Sequence, residues 1–404
     1  MYDLMNLKEY LHKMMPSIIT QNIQVKQKLS TLIEILISNN AIFDNNLEIH
    51  YDNNGLSIHC ANDALCVKKR ITIPTTIMPC INDYEFGIKD NKLTCKTKSS
   101  ANAIHDKIMF LMIDIFNLTD KISTQKNSNI FYNLKNHRNF LSLLVSPIKN
   151  KEIDYYLNLL DKGKLKTLIL QTFINTRKFN LQDKGTFQPV ILPFLDYFNH
   201  KVTTKGFQYI KNKKSIYVET SIANKRETQQ YVSYNYFDAL ETLIYYGFTD
   251  TSTPLLFSIP MTIVLNNTFI LEIKNTNFRI LKNEKISKNL LLIKEIIPNI
   301  KKDDNKITIS KLVIPSVQLP YALRKILHLV LNEIAIETSQ EIRLSMIKAI
   351  EKQLIENNLT YFVNLKAKLN EIMQYDDIST YIKEQLHTLV QHNIRHLKNY
   401  GYWF

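Results

Sequence analysis

The chain has 404 residues, 51 Lys+Arg against 37 Asp+Glu (a formal charge of +14), 45% hydrophobic residues, and only 7 Gly and 4 Cys. That length implies two or three domains with sizeable cores, which excludes global disorder, and so few glycines exclude collagen-like, glycine-rich and most phosphate-loop or dinucleotide-loop architectures. The positive charge is nearly all Lys, scattered singly beside an excess of Asn and Ile; this fits AT-rich codon use and solvated faces, so nucleic acid is not an expected partner.

Residues 1–40 are predicted to be helical, with Val25, Leu29, Leu32, Ile33 and Leu36 on one face after a break at Pro16. From Asn46 to about Cys80 the pattern is one of short strands, at 47–49, 56–58 and 71–73 before Pro74. A buried helix is predicted over 101–118, carrying Ile108, Leu111, Met112, Ile115 and Phe116, and helical spacing returns at 152–175. Residues 189–196 read as an apolar strand bounded by prolines, and 215–220 and 231–234 as half-buried strands. Residues 238–246 have helical spacing closed by Gly247.

Strands are predicted at 255–264, 268–281 and 306–314, with an exposed loop at 301–306. From Leu319 onward the chain reads as helix. One stripe is Leu323, Ile326, Leu327, Val330, Leu331 and Ile334; another is Ile382, Leu386, Leu389, Val390, Ile394 and Leu397.

Cys60, Cys66, Cys80 and Cys95 contain no CxxC and fit no common zinc spacing, so a reduced, cytoplasmic compartment is expected, and no metal. Met1-Tyr2-Asp3-Leu4 opens no signal peptide. The uncharged run 251–271 holds Pro254, Pro260 and Asn266-Asn267, so it reads as two strands around a turn, not a membrane helix. A soluble protein without a membrane partner is expected, and a monomer. Delivery into another cell is compatible with the same composition. His387, His392 and His396 share the last helix, but no Asp, Glu or Cys is placed to complete a metal site.

Two segments carry chemistry. The first is Pro193-Phe194-Leu195-Asp196-Tyr197-Phe198-Asn199-His200; the second is Val232-Ser233-Tyr234-Asn235 followed by Glu241 to Phe248, with Tyr245-Tyr246-Gly247 near its end. Either alone reads as a core strand or an amphipathic helix. Together, in this order, they resemble the SET-domain methyltransferases, and within them the Rubisco large-subunit methyltransferase-like branch, with its P-x-x-D-x-x-N-H and S-Y elements. Thr176-Arg177-Lys178-Phe179 resembles that branch's S/T-R-x-F element, and Val202-Thr203-Thr204 with Tyr209 the loop that follows. The family's glycine-rich G-x-G turn is missing; Asn53-Asn54-Gly55-Leu56-Ser57-Ile58 stands in its place. Residues 69–74 resemble its next strand without the Gly-Glu.

The resemblance implies an α+β fold: a SET-domain β-fold with knot-like threading and a helical insert, followed by a mainly helical C-terminal domain. The implied domains are an N-terminal helical segment at 1–45, a SET domain at 46–250 with its insert at about 96–185, and a substrate-binding-like domain at 251–404, helical from about 316. It also implies S-adenosyl-L-methionine as cofactor and a protein-lysine N-methyltransferase acting on a protein substrate. Tyr234 would be the catalytic tyrosine; Asn199, His200 and Arg177 would join it in holding the cofactor. Arg177, Phe179, Asp196, Tyr209 and Tyr246 would line the substrate side, although the stretch from Tyr234 to Tyr246 is one residue shorter than in plant relatives. Phe179 stands where actin histidine methyltransferases carry Asn, which is the lysine-type choice. No Cys follows Cys95 to build the zinc cluster of histone-type enzymes, so the C-terminal domain would close the channel. The alternatives are a SET-fold protein-binding module that has lost turnover, and a protein-histidine methyltransferase.

Overall fold

Asn22 opens the first long helix because its side-chain oxygen accepts the N–H of Val25 at 3.1 Å, a backbone donor the helix itself leaves over. The computed structural model describes residues 15–44, 46–52, 55–60, 69–98, 102–183, 186–204, 206–210, 214–220, 229–265, 269–275, 299–303, 306–316, 322–333 and 340–401. Asn53-Asn54, Cys66, Leu319, Ile334 and the predicted strand beyond residue 275 lie outside them.

In chain order the first elements are β1 (Ser17–Ile19), α1 (Ile23–Ser38), β2 (Leu47–Asp52), β3 (Gly55–Cys60), β4 (Lys69–Pro74), β5 (Tyr84–Lys89) and β6 (Lys92–Thr97). A helical stretch follows: α2 (Ala103–Leu118), α3 (Lys121–Ser128), α4 (Ile130–Asn133), α5 (Arg138–Val145), α6 (Lys151–Asp161) and α7 (Leu165–Asn175). Next come β7 (Lys178–Asp183), β8 (Thr186–Ile191), β9 (Asn199–His200), β10 (Gln208–Ile210), β11 (Ser215–Thr220), β12 (Gln229–Val232) and α8 (Ala239–Tyr246). The remainder is β13 (Leu255–Phe257), β14 (Met261–Leu265), β15 (Phe269–Lys274), β16 (Asn299–Asp303), β17 (Lys306–Ser310), β18 (Val313–Pro315), α9 (Ala322–Glu333), α10 (Gln340–Ile372) and α11 (Thr380–Gly401). The fold is thus mixed α and β. It divides into two compact units, Met1–Lys126 with Leu165–Asn235, and Asn127–Lys164 with Tyr236–Phe404.

In the first unit, α1 buries Val25, Leu29, Leu32, Ile33 and Leu36, the five residues its spacing singles out, and packs on α2. Each such side chain stabilises the fold by about 1.5–3 kcal/mol. One sheet runs β1-β2-β3-β12-β9 and a second β10-β11-β4. The β2–β3 hairpin turns Leu47, Ile49, Leu56 and Ile58 inward by strand alternation. Residues 17–19 correct the predicted N-terminal helix: they form β1, parallel to Glu48–His50 of β2, because the sheet edge supplies the hydrogen-bond partners. Residues 189–196 are likewise not one strand. β8 ends at Ile191, and Leu195–Tyr197 is a single 3₁₀ turn.

In the second unit, Asp238 caps α8 by accepting the N–H of Glu241 at 2.9 Å, and Gly247 ends the helix at φ +80°. A Cβ on Gly247 would stand 2.2 Å from the carbonyl oxygen of Ser128, so both the backbone and the space demand glycine. β14, β15, β17 and β16 form a four-stranded sheet, and β13 pairs with β18. The predicted loop at 301–306 is corrected here: the backbone of Lys301 to Asp303 pairs with that of Lys306 to Thr308 in the β16–β17 hairpin. Leu323, Ile326, Leu327 and Leu331 on α9, and Ile382, Leu386, Leu389, Val390 and Leu397 on α11, are buried as their stripes require. Glu351 of α10 is buried but satisfied, by Arg324 Nε at 2.9 Å and Tyr400 OH at 2.6 Å. His396 Nε2 lies 3.1 Å from the carbonyl of Ile314, a structural contact. Among the described residues, no helix is long and apolar enough to cross a membrane, and no His/Cys/Asp/Glu group could hold a metal ion.

Candidate active site

The Pro193–His200 segment owes its shape to one strained residue. Phe194 has φ +66° and ψ −44°, and the N–H of Leu195 donates to the carbonyl of Pro193 at 2.7 Å, a γ-turn with the sign of φ that bulky residues avoid. Its ring is fully buried, 4.8 Å from Phe43 and 6.0 Å from Tyr197, so core packing holds the turn in place. Such strain, of order 1–3 kcal/mol, clusters at sites that need a fixed backbone. The chain then passes through the 3₁₀ turn and enters β9.

Asn199 and His200 of β9 pair in parallel with Tyr231 and Val232 of β12. This pairing delivers Tyr234, just past the end of β12, to His200. The N–H of Tyr234 donates to His200 Nδ1 at 2.9 Å, which requires that nitrogen to be unprotonated, and the two rings lie 5.0 Å apart. The Tyr234 hydroxyl donates to the carbonyl of Phe198 at 2.5 Å. His200 is buried, Tyr234 half-buried and Asn199 exposed. A single strand pairing thus gathers three of the predicted residues.

Arg177 and Asp196 form a second cluster. Arg177 follows the C-terminus of α7, where it donates through Nη1 to the carbonyl of Phe173 at 3.2 Å and to Thr176 Oγ1 at 3.0 Å. A helix C-terminus favours such a cation. Its guanidinium also stacks 3.9 Å above the Phe173 ring. Arg177 Nε is 3.4 Å from Asp196 Oδ2, with both side chains largely buried. Burial raises the Asp196 carboxyl to about 6, against the opposing pull of Arg177 and Lys121. Lys121 is the member that sequence reasoning missed. Burial, reinforced by Arg177, lowers its amine to about 8, while Asp196 acts the other way. A lone Lys at the start of a helix carries no motif, and only the fold places it here.

The remaining predicted residues sit on other elements. Phe179 is on β7 opposite Val190, its ring 6.3 Å from Phe207. Tyr209 is half-buried on β10, opposite Ile216. Tyr246 belongs to the second unit, at the end of α8, where its ring lies 5.8 Å from Phe237 and 6.2 Å from Phe248.

No protein-family model and no curated protein matches the sequence. Among solved structures, the chain is similar to the SET domain of LSMT bound to lysine and AdoHcy, at 12% identity and a TM-score of 0.39, over 93% of this chain and 92% of that one. It is also similar to Rubisco LSMT bound to AdoMet, at 13% identity and a TM-score of 0.39, over 92% and 91%. The side-chain geometry, not this likeness, carries the functional reading.

Proposed function

We propose that the first unit is a SET-type domain that binds S-adenosylmethionine and transfers its methyl group to a lysine amine of a protein substrate. The observation that carries this reading is the β9–β12 pairing, which locks Tyr234 against His200 and Phe198 in the motif order of that family. The residues present fit the cofactor. Asn199 offers an exposed amide, and Arg177 with Lys121 leaves one cation in excess over Asp196, which suits the anionic end of an amino acid.

The cofactor supplies an electrophilic methyl on a sulfonium, so the protein's main task is alignment, worth about 7–11 kcal/mol when the reactants are held in near-attack geometry. The Tyr234 hydroxyl donates its proton to the Phe198 carbonyl, so toward an incoming amine its oxygen would act as an acceptor. A free lysine amine has a pKa of about 10.4 and must be neutral to attack. An aromatic, poorly hydrated approach lowers that pKa by desolvation. With the cofactor held by Asn199, His200 and Arg177, the neutral amine would take the methyl and S-adenosylhomocysteine would leave, while Tyr234 would orient the nitrogen. Phe179 and Tyr209, both in this unit, are assigned to that approach, and the α9–α11 helices to docking of the protein substrate.

The test is twofold. Calorimetry should detect binding of S-adenosylmethionine or S-adenosylhomocysteine, and labelled methyl should pass from the cofactor to lysine in protein lysates, read by mass spectrometry. Absence of cofactor binding would remove the reading. Methyl found on histidine in place of lysine would move the protein to the imidazole-modifying alternative.

A further inference from the structure

Lys121 stands where a lysine is costly on several counts. It is the first residue of α3, where the aligned peptide dipoles present positive charge and disfavour a cation. It shares its surroundings with a second cation, Arg177, and its ammonium is withdrawn from water, which lowers its pKa to about 8. Among the described residues, no hydrogen bond or ion pair engages that ammonium. Asp196 is the carboxylate that acts on both cations, and Arg177 Nε, buried, is ion-paired to it at 3.4 Å without a hydrogen bond.

The amine also lies beside the start of β3. A Cβ placed on Gly55 would be 3.6 Å from Lys121 Nζ, in van der Waals contact, and Gly55 adopts φ +97°, which a residue with a side chain adopts only under strain. A backbone without a side chain therefore stands next to the ammonium. Two cations against this carboxylate, with the Lys121 ammonium unengaged among the described residues and Arg177 Nε held to Asp196 by an ion pair alone, make an incomplete charge cluster. A second carboxylate would complete it, accepting from Lys121 Nζ beside Arg177.

We propose that Lys121, with Arg177, seats the carboxylate on the amino-acid end of the cofactor, and so is a cofactor-anchoring residue. This rests on the reading that the first unit binds S-adenosylmethionine. It adds a residue that no motif contains, in the place where the glycine-rich turn is reduced to Gly55.

The test is calorimetry on the full chain with S-adenosylmethionine and with decarboxylated S-adenosylmethionine, which keeps the ammonium and loses only the carboxylate. Wild-type protein should bind the first more tightly. Lys121→Met should weaken that binding about ten- to a hundredfold, as for loss of a hydrogen bond to a charged group, and leave the decarboxylated compound unchanged. Lys121→Arg should restore most of the loss. Wild-type affinity should fall above pH 8 as the ammonium deprotonates, and the Lys121→Met profile should lack that step. If wild-type protein binds and Lys121→Met binds S-adenosylmethionine equally well, this inference fails and the cofactor reading stands. Equal wild-type binding of the two compounds would assign the cluster's anion to another source and overturn the inference. If wild-type protein binds neither compound, both readings fail. Retained thermal unfolding of Lys121→Met separates lost binding from lost fold.

Discussion

The hydroxyl of Tyr234 donates to the carbonyl of Phe198 at 2.5 Å, one residue before Asn199 enters β9. That bond links the last residues of one motif to the catalytic candidate of the other, and it sets which way the phenol oxygen presents its lone pairs.

Tyr234→Phe tests that orientation. Losing the bond to Phe198 should cost about 0.5–1.5 kcal/mol of stability, since the ring and its packing on His200 remain. Loss of a positioned hydroxyl at a reaction centre should cost roughly 10²–10³ in rate. The expected variant folds, binds cofactor and scarcely transfers methyl. Wild-type turnover would make Tyr234 a packing residue only.

Asn199→Ala separates binding from stability. The side chain is exposed, so the melting temperature should not move. Affinity for S-adenosylhomocysteine should drop by about tenfold, the equivalent of one net hydrogen bond of about 1.4 kcal/mol. Calorimetry that found no change would take Asn199 out of the cofactor site.

Lys121→Met should stabilise the unbound protein. The folded-state pKa of Lys121, about 8, lies below its ordinary value, so the wild-type chain gains stability as pH rises from about 8 towards 10.5 and carries the penalty of the buried charge below 8. The variant should therefore melt several degrees higher at pH 7, with the gain shrinking across pH 8–10.5. A variant that melts lower than wild type at pH 7 would contradict the burial of that charge.

Gly247→Ala tests the close approach at the end of α8. The new Cβ would meet the Ser128 carbonyl at 2.2 Å, in a left-handed backbone. A loss of more than about 1 kcal/mol is expected, read as a lower melting temperature. An unchanged melting temperature would mean that the turn relaxes away from Ser128.

Some of this molecule is determined locally. The helical stripes on α1, α2, α9 and α11, the cap at Asp238 and Gly247, and the order of the two motifs depend on residues close in sequence, where periodicity and side-chain chemistry speak directly. The P-x-x-D-x-x-N-H spacing is legible as a motif but its shape is not, because the turn at Phe194 is held by packing on Phe43, far away in sequence. Residues 17–19 were illegible for a non-local reason too: they become a strand only because β2, from another part of the chain, supplies the hydrogen bonds. Residues 301–303 pair locally with β17, but Lys301-Lys302-Asp303 has no apolar alternation to announce a strand. The site divides along the same line. Asn199 and His200 are adjacent in sequence, but their approach to Tyr234 depends on the parallel β9–β12 pairing, a non-local contact that no spacing encodes. Lys121 is the extreme case: a single charged residue has no period, and its meaning comes only from the buried Arg177 and Asp196 that tertiary structure brings beside it.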